Sequence, residues 1–134
     1  MAIFYTNVFK FSNHIFFRGY SVGTAQDGRE TVKRHKQAFK FAPTLFEVSS
    51  NPSKYKTLSG QNVTPKQFEK MSSASMALRQ NKGAASNMKI YGNEKFHHQF
   101  LAEKFKGDVP YRADKINITT IDIEVESDKG FPDV

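Results

Sequence analysis

Ile3-Phe4-Tyr5-Thr6-Asn7-Val8-Phe9-Lys10 and His14-Ile15-Phe16-Phe17-Arg18-Gly19-Tyr20 are two runs rich in Phe, Tyr, Ile and Val. Aromatic and β-branched side chains suit a pleated, half-buried surface. Phe11-Ser12-Asn13 between the runs supplies a short turn, so the stretch predicts a β-hairpin. Ala25-Gln26-Asp27-Gly28 is a second turn signal, because Asp-Gly tolerates positive φ. Glu30 to Phe41 then reads as a third strand. It carries Lys33, Arg34, His35, Lys36 and Lys40 in close succession. Lys on an edge strand blocks sheet-to-sheet aggregation, which accounts for much of this cluster. Its second reading is phosphate binding by Lys33, Arg34, Lys36 and Lys40, with Phe39 as a stacking neighbour. Aromatic strand residues usually face inward, and that favours Phe39 and Phe41 as core.

Downstream, Pro43 breaks the run. Thr44 to Val48 reads as a short strand. Tyr55 to Leu58 and Gln61 to Val63 flank Ser59-Gly60 as a small hairpin. Thr64-Pro65-Lys66-Gln67 has the pattern of a capping box with Pro at the first helical position, so it predicts a helix start. Phe68, Met71, Ser75 and Leu78 follow at helical spacing, with Met71 and Met76 as core filler. Gln80 to Asn87 reads as a loop, and Met88 to Tyr91 as a short strand. Asn93 can cap a helix over Glu94 to Phe105, with Phe96, Phe100, Leu101 and Phe105 as its buried stripe. His97 and His98 are adjacent and point about 100° apart on a helix, which disfavours a shared metal. Gly107 to Pro110 is a linker, and no internal repeat is visible.

The chain has 134 residues, enough for one ordinary domain. Lys and Arg total 20 against 13 Asp and Glu, a net charge of +7. Residues 1–115 hold 19 of the cations and 8 of the acids, whereas residues 116–134 hold 1 and 5. The basic body suits a polyanion and also suits a merely well-solvated surface. The acidic end can attract cations. No apolar run approaches the roughly 18 residues of a membrane span. Met1 to Tyr5 show no secretory leader, and the lack of cysteine fits the expected reducing cytoplasm. Cysteine is absent, so disulfides, Cys-ligated zinc and thiol chemistry are excluded. No Gly-rich phosphate loop or dinucleotide fingerprint is present.

The acidic end opens with Ile116-Asn117-Ile118-Thr119-Thr120-Ile121-Asp122-Ile123-Glu124-Val125-Glu126. Strand alternation would place Ile121, Ile123 and Val125 on one face and Asp122, Glu124 and Glu126 on the other. Carboxylates at i and i+2 lie roughly 7 Å apart at Cβ, within reach of one divalent ion or of two. The spacing alone favours a half-exposed strand with its acids in water.

Thr120-Ile121-Asp122-Ile123-Glu124-Val125-Glu126-Ser127, with Gly130-Phe131-Pro132-Asp133, resembles the first exonuclease motif of family B DNA polymerases of the T-even-like phage type. The resemblance continues upstream. Met1 to Tyr20 looks like the first hairpin of the polymerase N-terminal domain. Pro43-Thr44-Leu45-Phe46, Tyr55 to Gly60, Thr64 to Phe68 and Lys115 to Ile118 follow in the family's order.

The resemblance implies an α+β fold: a mainly antiparallel sheet with two short helices, ending in the first strand of an exonuclease (ribonuclease H-like) domain. Residues 1–115 would be the polymerase N-terminal domain and 116–134 the incomplete start of the 3′→5′ exonuclease domain. Asp122 and Glu124 would be metal-binding carboxylates for Mg²⁺ or Mn²⁺. The later exonuclease motifs and the palm are missing, so the chain alone is expected to be inactive. The implied role is template or single-strand binding within a replicative polymerase in the host cytoplasm. Alternatives are a stand-alone module binding RNA or single-stranded DNA, and an assembly subunit of a split polymerase. Expected partners are DNA or RNA, the remainder of the polymerase chain, and a second copy paired through residues 116–126.

Overall fold

The computed structural model describes residues 2–81 and 89–123. It is an α+β fold of two antiparallel sheets and two helices. The first sheet is a meander of β1 (Ile3–Phe11), β2 (His14–Thr24) and β3 (Glu30–Lys40), in that spatial order. Ser12 takes a φ of 53° in the first turn. At the second, Gly28 has a φ of 81°, and the Arg29 N–H donates to Asp27 Oδ1 at 3.1 Å. These are the two turns that the sequence predicts. β2 extends beyond Tyr20 because Ser21 to Thr24 pair with Lys33 to Glu30.

The second sheet contains β4 (Thr44–Val48), β5 (Tyr55–Lys56), β6 (Asn62–Gln67) and β7 (Ile90–Tyr91), in the order β5-β6-β4-β7. The helices are α1 (Met71–Gln80) and α2 (Phe96–Lys104). Thr64-Pro65-Lys66-Gln67 is therefore strand, and the helix expected to start there begins at Met71. The physical reason lies in the ladder. Phe68 N–H donates to the Pro43 carbonyl at 2.8 Å, and Ser49 N–H to the Asn62 carbonyl at 2.9 Å. Antiparallel pairs alternate between bonded and non-bonded, which puts Phe46 and Pro65 in a non-bonded pair. The Pro65 nitrogen thus points away from β4. On that side β5 reaches only Asn62 and Val63, so no ladder bond is lost.

The core draws on both sheets and both helices. Ile15 and Phe17 of β2 meet Phe41, Leu45, Met71, Ala74, Leu78, Phe96 and Phe100. Burying each large apolar side chain contributes about 1.5–3 kcal/mol. Phe39 and Phe41 both pack on Phe100, with ring centroids at 5.2 and 5.8 Å, as the inward reading expects. Met71 is core, but Met76 is 60% exposed, because α1 turns Met71, Ala74 and Leu78 inward. Asn93 Oδ1 accepts the Lys95 N–H at 2.9 Å just before α2. Gln99 ties α2 to β4: its Oε1 accepts the Thr44 N–H and its Nε2 donates to the Thr44 carbonyl, both at 2.9 Å.

After α2 the chain passes around β1 from one face of the first sheet to the other. Phe105 packs on Tyr5 at 5.2 Å and stacks on Phe17 at 6.0 Å, on the core face. Tyr111 meets Phe4 edge-on at 5.9 Å, on the opposite face. Phe4 also stacks on Tyr20 at 5.7 Å and is buried. Beyond a single 3-10 turn at Ala113–Lys115, residues 116–123 form no strand; Ile116 is half-buried and residues 117–123 are exposed. The strand expected over Ile116 to Glu126 is thus not formed in its described part. A strand needs a ladder, and residues 116–123 find no partner among the described residues. Ile118, Ile121 and Ile123 stand in water at 88, 79 and 78% exposure.

Candidate nucleic-acid interface

The first sheet has an inner face on the core and an outer face toward solvent. On β2 the residues Ile15, Phe17, Gly19 and Ser21 are buried, so His14, Phe16, Arg18 and Tyr20 point outward. Register then assigns β3. Lys40, Ala38, Lys36 and Arg34 lie opposite His14, Phe16, Arg18 and Tyr20, and share the outer face. Lys33 lies opposite Ser21 and Phe39 opposite Ile15, on the inner side. The basic cluster predicted from sequence is therefore split. Arg34, Lys36 and Lys40 come together, and Lys33 does not join them.

The structure adds residues that strand-by-strand reading missed. Arg18 joins the outer face and sits directly opposite Lys36. Like charges directly opposite on a sheet destabilise it by about 0.2–1 kcal/mol. Arg18, Lys36 and Lys40 have no ion-pair partner among the described residues. Phe9 lies opposite Phe16 on the same face, with ring centroids 5.1 Å apart and planes 8° from parallel. Phe9 is 42% and Phe11 70% exposed. The alternation of β1 and β2 carried this signal, because Phe9, Phe16 and Arg18 fall on one parity once the turn at Ser12 sets the register.

At the far end of this face the charge is compensated. Arg34 lies over the Tyr20 ring, 5.9 Å from its centroid. Glu30 accepts from Arg112 Nη1 at 2.9 Å and also pairs with Lys115. Hydrogen bonds from Lys115 and then Arg112 hold the Glu30 carboxyl below its ordinary value. Asp114 is lowered by Arg112 first and Lys115 second. Positive potential is thus left uncompensated toward the Phe9, Phe16 and Lys40 end.

Other titratable groups lie elsewhere. Ser21 Oγ and His35 Nε2 are 2.8 Å apart on the inner face, a buried hydroxyl satisfied by a neighbouring ring. The His97 and His98 rings are in edge contact at 4.3 Å, closer than their helical spacing suggests. Burial, followed by the charges of His98, Lys10 and Lys95, lowers the His97 pKa. The second sheet carries an open cavity of about 570 Å³ lined by Phe46, Tyr55, Leu58 and Tyr91. Asp122 is exposed, and Glu124 lies outside the described residues. Among the described residues no three His, Asp or Glu side chains converge on a metal position. Asp122 alone does not make a site for Mg²⁺ or Mn²⁺, which takes carboxylates together with substrate phosphates.

No protein-family model matches the chain. Two phage proteins are similar to it. Over 78% of this chain it is 26% identical to the DNA-directed DNA polymerase of Enterobacteria phage T4. Over 99% of this chain it is 27% identical to the DNA-directed DNA polymerase of Escherichia phage RB69. The chain spans 11% and 14% of the length of these relatives. The similarity bears out the resemblance read from the sequence and ties the chain to phage DNA polymerases. No helix among the described residues is long and apolar enough to cross a membrane.

Proposed function

We propose that the chain is the N-terminal portion of a phage-type family B replicative DNA polymerase and contributes single-strand or template binding, in the host cytoplasm. The observation that supports binding is the like-charged pair Arg18 and Lys36, flanked by Lys40, none of them ion-paired among the described residues while Glu30 of the same face is taken by Arg112 and Lys115. A phosphate between the two offsets their repulsion. Asp122 and Glu124 belong to a proofreading site for Mg²⁺ or Mn²⁺ that further carboxylates of the larger protein complete. The exposed Ile118, Ile121 and Ile123 support docking of residues 116–126 on the remainder of that protein. Two-fold pairing of the same segment is the other way to cover them. Sedimentation with and without Mg²⁺ separates the two, because a concentration-dependent dimer favours pairing between copies.

Binding of the chain to single-stranded DNA, duplex DNA and RNA over a salt series tests the main reading. Arg18, Arg34, Lys36 and Lys40 predict a log–log slope near −3 on single strands, at about 0.7 per phosphate. The double change Arg18→Ala with Lys36→Ala should cut the slope by about half. An unchanged slope returns the cluster to plain edge protection.

A further inference from the structure

We propose that Phe16, with Phe9 on one side and Ala38 on the other, forms a base-stacking slot that makes the outer face selective for unpaired nucleic acid. The proposal rests on the reading of this face as a phosphate-binding surface. The solvent side of an antiparallel sheet is ordinarily polar. Here its centre is aromatic. Phe9 covers one side of the Phe16 ring at 5.1 Å. The neighbour on the other side is Ala38, which is exposed and carries only a methyl group. Lys36 and Lys40 stand two positions before and after Ala38 on the same face, so a cation flanks it at each end along β3. Arg18 and His14 occupy the corresponding places on β2.

This arrangement fits one ligand chemistry. A flat base fills the space over Ala38 against Phe16, and the phosphates on either side of it meet Lys36 and Lys40. Every base has a π-face, so stacking here is tolerant of sequence. Bases inside a duplex have both faces occupied by their neighbours and cannot enter the slot. The cations alone hold single and double strands alike, and the slot supplies the difference between them.

The test uses the full chain and a fluorescein-labelled oligothymidylate, with a labelled duplex of equal length in parallel. Phe16→Leu keeps the charge and the apolar bulk. It should weaken oligothymidylate binding about tenfold and leave duplex binding and the salt slope unchanged. Ala38→Leu fills the slot without removing a contact and should do the same. The chain has no Trp. Phe16→Trp therefore gives a single reporter, whose emission should be quenched by oligothymidylate and not by duplex. If Phe16→Leu and Ala38→Leu bind oligothymidylate as wild type does while Arg18→Ala with Lys36→Ala weakens it, the slot is wrong and the phosphate surface stands. If the charge changes also leave binding intact, the phosphate surface fails too.

Discussion

Phe46 and Pro65 face each other across β4 and β6 as a non-hydrogen-bonded pair. That pairing accommodates a residue without an N–H in the second sheet and overrides a local helix-start pattern. It also makes the cost of proline depend on parity.

Replacing Pro65 adds an N–H that faces the uncovered side of β6. Pro65→Ala should lower stability by no more than about 1 kcal/mol, mainly through the freer unfolded chain. Thr64 is a bonded partner of Glu47, so Thr64→Pro removes a ladder bond and leaves a carbonyl of β4 without its donor. A loss of about 2 kcal/mol or more is expected. Urea unfolding of both variants checks the contrast, and equal losses would refute the register.

Gly92 has a φ of +149°, and a Cβ there would lie 2.5 Å from Leu45 Cδ2. Leu45 is core and cannot withdraw. Gly92→Ala should cost about 1–3 kcal/mol through overpacking and backbone strain. Thermal melting reads this directly. Gly28→Ala is the comparison for strain without crowding, since nothing lies within 4 Å of its added Cβ.

Acid should weaken the fold in two separate windows. His97 has a lowered pKa in the folded state, because its half-buried ring is desolvated and lies near cations. Its contribution is present above the ordinary value of 6.5 and is lost as pH falls through the folded value. Glu30 is likewise lowered, so its contribution is present above 4.5 and is lost as pH drops further. His97→Leu should flatten the first window and Glu30→Gln the second. Urea midpoints from pH 8 to pH 3.5 test both. The Glu30 effect should be the smaller, because solvent screens the pair.

Lys33 and Lys36 separate the two faces of β3. Lys36→Ala should reduce the salt slope for single strands by about 0.7, and Lys33→Ala should leave it unchanged. Equal effects would mean that nucleic acid wraps the edge and does not lie on the outer face.

Incubated with labelled single-stranded DNA and Mn²⁺, the chain should release no nucleotides. Asp122 stands exposed and belongs to no group of three His, Asp or Glu side chains among the described residues. Metal-dependent trimming from the 3′ end that disappears in Asp122→Ala would overturn this expectation.

The meander was legible because its periodicity and turn chemistry agree: Ser12-Asn13 and Asp27-Gly28 turn where the aromatic runs stop. α2 was legible from the Phe96, Phe100 spacing, but the cap was not: the helix starts at Phe96 after Lys95, which has no side-chain cap bond, and not over Glu94 behind Asn93. The start of α1 was not. Thr64 to Gln67 satisfies a local capping rule, and only the pairing with β4 shows which structure wins. The outer face was half legible. Lys36 and Lys40 are visible in one strand, but Arg18 and Phe9 join them only through the register of two others. Arg112 was invisible as a partner of Glu30, because nothing local marks a contact across 82 residues of sequence. The two carboxylates of the acidic end were singled out by spacing and resemblance; of these Asp122 is exposed and Glu124 lies outside the described residues.

The strap from Phe105 to Lys115 carries a consequence for the order of synthesis. The meander needs only neighbouring residues and can form as soon as β3 leaves the ribosome. Its Phe4 and Glu30 then wait for Tyr111, Arg112 and Lys115, some seventy residues or more beyond the end of β3. At about 5–20 residues per second the interval lasts several seconds. Throughout it the oldest part of the nascent chain shows aromatic surface that only its youngest part can cover.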